Sequence, residues 1–180
     1  MYLKNIIGHF KVITKHRWVV FKLCCKVGIP FQGLTHDLSK YSLSELIPSV
    51  KYFTDGKKSP LAEEKNIKGY SLAWLHHKGR NKHHFEYWYD YDARVKTPII
   101  PFKYMKEMIC DRVSASKVYY KDNYNNNRAL EYFNSQKDKI KMDKRLISFL
   151  EEVFIRLSKE GEGFLNNKNL KDLYLKHISK

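Results

Sequence analysis

The chain is poor in the features that usually announce a protein's chemistry. It has only three cysteines, Cys24, Cys25 and Cys110, an odd number with an adjacent pair. That spacing excludes a disulfide framework, and no Cys-x-x-Cys pair is present to hold zinc or run thiol redox chemistry. All three are expected to be buried thiols. No apolar run is long enough to span a membrane. His9, Lys11, Lys15 and His16 interrupt any apolar region that could serve as a secretory leader. The chain also lacks an internal repeat, a glycine-rich phosphate loop and any run of alternating strands. These absences predict a cytoplasmic, all-α protein with no membrane partner.

What is present gives more. At 180 residues the chain is long enough for one domain with a proper core, and 14% aromatic residues is not a disordered composition. The formal net charge of +15 suits an anionic partner. Of the basic residues 27 are Lys and 7 are Arg, and they are spread along the chain. Bidentate phosphate and base readout favours Arg, so nucleic acid is a possible partner rather than the obvious one. A small phosphate ester fits the charge equally well.

Helical periodicity organises the chain. Residues 4–27 read as one amphipathic helix whose inward stripe is His9, Val12, His16, Val19 and Leu23, closed by Gly28 and Pro30. His36 and Asp37 fall on a short helix. Ser42 and Glu45 read as a capping box opening the next helix, with Pro48 making it short or kinked. Residues 54–66 read as a surface loop. Residues 67–78 read as a helix with Leu72, Trp74 and Leu75 toward the core, and residues 89–101 as an irregular connector. A long helix over 102–121 has the stripe Tyr104, Met108, Asp111, Ala115 and Val118. Helices over 128–136, 142–159 and 167–178 complete one domain, with its functional part in residues 9–121.

The chemistry gathers around Thr35-His36-Asp37-Leu38-Ser39-Lys40. An imidazole and a carboxylate on neighbouring residues are two metal-binding groups, and Lys40 is placed to meet a phosphate. His16 sits in mid-stripe on the first helix. His76, His77, His83 and His84 are four histidines in nine residues. Asp111 is a carboxylate on an otherwise apolar face, where a cation would remove the cost of burying it.

In this order the residues resemble the HD-domain superfamily of metal-dependent phosphohydrolases. His16, the adjacent His36-Asp37 and the distant Asp111 match its minimal pattern. His77 (or His76) and His83-His84 match the insertion found in two-metal members. His77 through Asn81 and His83-His84 to Trp88 further look like a family of uncharacterised proteins, catalogued as a domain of unknown function. The resemblance implies a helical bundle and hydrolysis of a phosphomonoester or phosphodiester, with a nucleotide-like substrate. It implies one metal held by His16, His36, Asp37 and Asp111, and a second held by His77, His83 and His84 with Asp37 bridging. His9 competes with His16 as first ligand, and His76 with His77.

Imidazole and carboxylate suit one or two divalent ions of Mn, Fe, Ni, Co, Zn or Mg. Such a centre activates water and clamps a phosphoryl group. Asp37 and Lys40 are the catalytic candidates; Lys40, Arg80, Arg112 and Lys117 are candidates to neutralise phosphate charge. The same ligands suit a di-iron oxidase or oxygenase.

Overall fold

The computed structural model describes residues 2–179 of the chain. Among them lie nine α-helices and no strand. They are α1 (Tyr2–Lys26), α2 (Pro30–Thr35), α3 (Leu43–Lys51), α4 (Pro60–Lys68), α5 (Leu72–Arg80), α6 (Phe102–Tyr120), α7 (Arg128–Gln136), α8 (Lys144–Glu160) and α9 (Asn167–Ile178). Short 3-10 turns join several of them, including Leu38–Tyr41 and Phe85–Trp88.

Two long helices, α1 and α6, pack on each other and organise the rest. The buried stripe of α1 is His9, Ile13, His16, Val20 and Leu23, continued by Val27 just past its end. Ile13 and Val20 face inward where the spacing pointed to Val12 and Val19, a step of one position. The lower half of α1 meets α6, α7, α8 and α9 in one apolar core, with Phe133, Phe149, Phe154 and Leu157 fully buried. The upper half of α1 meets α3, α5 and the other face of α6 around a second, polar interior of histidines and carboxylates.

Helix α6 therefore borders both interiors. Met105, Ile109 and Val113 belong to the apolar core, while Glu107 and Asp111 belong to the polar one. Lys106, also buried on α6, donates to the Val27 carbonyl at 2.9 Å and to Asn167 at 2.8 Å. It thereby caps the C-terminal end of α1 and ties α9 to it.

Several local expectations need correction. Residues 54–66 are not all loop: Ser59 and Pro60 start α4, proline fitting a first helical turn that needs no N–H donor. Gly69, in the left-handed region at φ 80°, then ends α4, so α5 begins only at Leu72. Leu72 and Leu75 are 59% and 50% exposed, because α5 turns Ala73 and His77 inward instead. Helix α3 is short, at nine residues, as Pro48 suggested, though it runs through that proline without a break. Ser42 makes no side-chain cap, and Glu45 is buried and directed elsewhere. Cys24 and Cys110 are buried, but Cys25 is exposed.

Candidate metal centre

Helix α2 lies so close on α1 that a Cβ on Gly33 would stand 2.6 Å from Cys24 Cβ and 3.0 Å from Phe21 Cα. Glycine is required for that approach. It delivers the chain leaving α2 to the side of α1 that carries His16. Arg17 fixes it there, donating through Nε to the His36 carbonyl at 2.9 Å and through Nη2 to the Leu34 carbonyl at 2.8 Å. Asp37 then takes a left-handed conformation, φ 53° and ψ 29°. Aspartate is among the few side chains that tolerate this region. Its carboxylate is 2% exposed and lies between histidines from three elements.

From α5, His77 Nε2 comes within 3.4 Å of Asp37 Oδ1. His83 and His84 follow in the turn after α5, and His83 Nε2 is also 3.4 Å from Asp37 Oδ1. That turn is pinned by Asn81, which donates to Ser39 Oγ and to the His77 carbonyl, both at 2.8 Å. Trp88 Nε1 adds a bond to the Lys82 carbonyl at 2.8 Å. On the far side, Asp111 Oδ1 is 3.0 Å from His16 Nε2 and 3.5 Å from His36 Nε2.

The result is three overlapping groups of ligand atoms, two that share Asp37 and a third that joins His36 and His83 to Glu107. One atom each from His16, His36, Asp37 and Asp111 lie within 4.8 Å of one another; so do atoms from Asp37, His77, His83 and His84. Asp37 belongs to both. His16 Nε2, His36 Nε2, Asp37 Oδ1, His83 Nε2 and His84 Nε2 are all buried without a hydrogen-bond partner. Five such atoms converging in one interior is costly in a protein, unless something with positive charge meets their lone pairs.

Two further carboxylates complete the arrangement, and sequence reading missed both. Glu107 Oε1 accepts from His36 Nδ1 at 2.9 Å and from His83 Nδ1 at 3.1 Å. Glu45 accepts from His77 Nδ1 at 2.8 Å through one oxygen and from His76 Nδ1 at 2.8 Å through the other. An ionised carboxylate only accepts, so the proton sits on Nδ1 and each Nε2 faces inward as a donor of electrons. Glu107 stands one helical turn before Asp111, a spacing that would have flagged it. Glu45 was hidden by its fit to a capping box.

The charges reinforce one another. Burial alone would depress the His36 imidazole, but with no cation present Asp37, Asp111 and Glu107 overrule it and raise its pKa to about 10; a bound ion would take the place of the Nε2 proton. Burial would raise Asp37 and Asp111, yet their histidine neighbours, and Lys40 in the case of Asp37, keep both well below the carboxylate range. Burial and the neighbouring His83 and His77 push His84 well down.

The remaining candidates fall in different places. Lys40 Nζ is 2.7 Å from Asp37 Oδ2, beside the first ligand group. His9 is buried with neither nitrogen bonded, against Phe53, and its pKa falls to about 4 through burial and Lys40. It is not in either ligand group, and neither is His76. Arg112 lies next to Asp111 with Nη1 buried and unbonded and its guanidinium 6.0 Å from the Tyr132 ring. Arg80 is exposed at the end of α5. Lys117 turns away to Glu162 and lies over the Tyr124 ring.

Fold and site together define an all-helical protein with a buried histidine–carboxylate cluster at the meeting of α1, α5 and α6. Residues 5–156 match the model of a family of unknown function (DUF5662), and the chain belongs to that family. No curated protein and no solved structure matches it.

Proposed function

We propose that the protein is a metal-dependent phosphohydrolase with a dinuclear His/Asp centre, acting on a phosphomonoester or phosphodiester of nucleotide-like character. The observation that carries this reading is the set of five buried, unpartnered nitrogen and oxygen atoms converging around Asp37. The donor set fits divalent transition ions: neutral imidazole nitrogens, two carboxylates, and outer carboxylates that orient the rings. His16, His36, Asp37 and Asp111 would hold one ion, and Asp37, His77, His83 and His84 the other. Ions bound there would supply Lewis-acid activation of water and neutralise phosphoryl charge.

The side chains do the rest. Asp37 joins the groups, with Oδ1 toward His77 and His83 and Oδ2 toward His36 and Lys40. Lys40 offers a cation at the edge of the first group, where a phosphate oxygen would arrive. Arg112 offers another beside Asp111. Glu45 and Glu107 keep the rings turned.

Metal analysis of the purified protein tests the reading, followed by a phosphatase and phosphodiesterase screen with added Mn²⁺. About one to two ions per chain are expected, lost in His36→Ala and Asp37→Ala. Unchanged metal content in those variants defeats the proposal at its root. Iron with a visible absorption band on oxidation, and no hydrolysis, points to oxygen chemistry on the same ligands.

A further inference from the structure

The opposite side of α1 from the cluster raises a separate question. The first 36 residues contain six Lys and Arg and no Asp or Glu; Asp37 is the first acidic residue of the chain. Lys4, Lys11, Lys15 and Lys22 recur at steps of seven, four and seven, which is one row along the helix. Beside that row the outward face is apolar: Ile7 is 48% exposed and Trp18 56%. An open depression of about 840 Å³ runs along this face, between Ile6 and Trp18 and past Phe10, Lys11 and Lys15.

The apolar surface does not stop at α1. Phe10 stacks on Tyr41 at 6.0 Å, and Gly33 rests on Phe21. Beyond those contacts Phe31 is 71% exposed, Leu34 61% and Leu38 51%. Helix α1, helix α2 and the turn after it thus present one broad face of large apolar side chains edged by lysine. Monomeric proteins rarely expose so much apolar surface without a partner.

Charge and width select that partner. A second copy would set one lysine-rich surface against another, with like charges opposed except where Asp55 lies 3.5 Å from Lys4. A single docked helix, about 10–12 Å across, would cover the stripe of α1 and leave the α2 side bare. Nucleic acid meets the lysines but not the leucines and phenylalanines. An anionic bilayer meets both demands. Trp, Phe, Leu and Ile enter the headgroup boundary while lysine stems lie along it with their ammonium groups on lipid phosphates.

We propose that this face seats the protein on an anionic phospholipid surface, with α1 lying in the plane of the interface. Among the described residues no helix is long and apolar enough to cross a membrane, so the contact is peripheral. The expectation of no membrane partner rested on the lack of spanning runs, and none is found among the described residues. The proposal does not draw on the metal centre: His16 faces away from the lysine row of α1, although the turn that exposes Leu38 also carries Lys40.

Co-sedimentation of the full chain with vesicles provides the test. Phosphatidylcholine vesicles carrying about 30% phosphatidylglycerol are compared with phosphatidylcholine alone, across salt. Binding to the anionic vesicles only, weakening with salt and accompanied by a blue shift of Trp18 emission that Trp18→Phe abolishes, is expected. The double variant Ile7→Glu/Trp18→Glu changes exposed side chains, so helix content and metal content report that it is folded. Its partitioning falls about tenfold or more. Absence of binding at low salt overturns the proposal. So does binding that the double variant retains, which means charge alone, and so does a concentration-dependent dimer that the same substitutions dissolve.

Discussion

Glu107 and Asp111 stand one turn apart on α6 and address the same histidine from opposite sides. Glu107 Oε1 holds His36 Nδ1 at 2.9 Å, while Asp111 Oδ1 lies 3.5 Å from His36 Nε2. The imidazole is fixed from behind and presented in front, and Glu107 does the same for His83. One helix face thereby sets ring orientation in both ligand groups.

Glu107→Gln should separate orientation from ligation. The amide nearly preserves volume but no longer compels protons onto His36 and His83 Nδ1. Metal affinity should fall about 10–100-fold with the fold intact, read by competition with a chelating dye. An unchanged affinity would mean that Glu107 serves packing only.

Removing metal should destabilise the protein. Ligand that binds only the folded state at 100- to 1,000-fold over its dissociation constant adds about 3–4 kcal/mol, or roughly 10 °C in a domain of this size. Melting followed by circular dichroism, with chelator and then with Mn²⁺ restored, measures the shift. Identical curves would count against a bound ion.

Gly33→Ala should disturb the site without touching a ligand. The new methyl meets Cys24 Cβ at 2.6 Å and Phe21 Cα at 3.0 Å, neither of them the free end of a side chain. Helix α2 must move away, at a cost of about 1–3 kcal/mol. His36 and Asp37 move with it, so metal content should fall alongside stability in a urea titration. Loss of stability with full metal occupancy would show that the turn adjusts independently of α2.

Glu64 carries a pH dependence far from the cluster. It is buried, accepts from Ser71 Oγ at 2.5 Å and pairs with Lys68 at 3.0 Å. Burial would raise its pKa, but Ser71, Lys68 and the Ala73 N–H outweigh that and hold it below the ordinary 4.5. A depressed carboxylate contributes stability above its unfolded pKa and loses it as pH falls through the folded one. Glu64→Gln should therefore cost about 1–3 kcal/mol at pH 7, and the gap to the unmodified protein should narrow below about pH 4. Because Ser71 caps α5, the variant should also loosen the helix that carries His77. Urea titrations at the two pH values decide it; a constant gap removes the linkage.

Much of the fold was legible because its periodicity is strong. Helices α6, α7 and α9 start and end within one residue of where stripes and caps put them. Of the histidines and aspartates singled out along the chain, His16, His36, Asp37 and Asp111 lie within 4.8 Å of one another, as do Asp37, His77, His83 and His84, while His9 and His76 fall outside. Glu45 was not legible, and Glu107 only through its spacing from Asp111, since the role of each depends on which ring nitrogen it faces, a tertiary relation. Arg17 was masked in the same way: its guanidinium caps carbonyls from residues 34 and 36, and periodicity sees only one more cation on a basic helix. The start of α4 was missed because Ser59-Pro60 reads as well for a loop as for a helix start.

Helix α6 lends one face to the apolar core and the other to the polar cluster. Neither interior can open while the other holds. The amides at its centre, around Met108 to Val113, should therefore exchange with solvent deuterium only when the whole domain unfolds. The kinetics of water reaching that one helix would report the lifetime of the site and the lifetime of the fold as a single number.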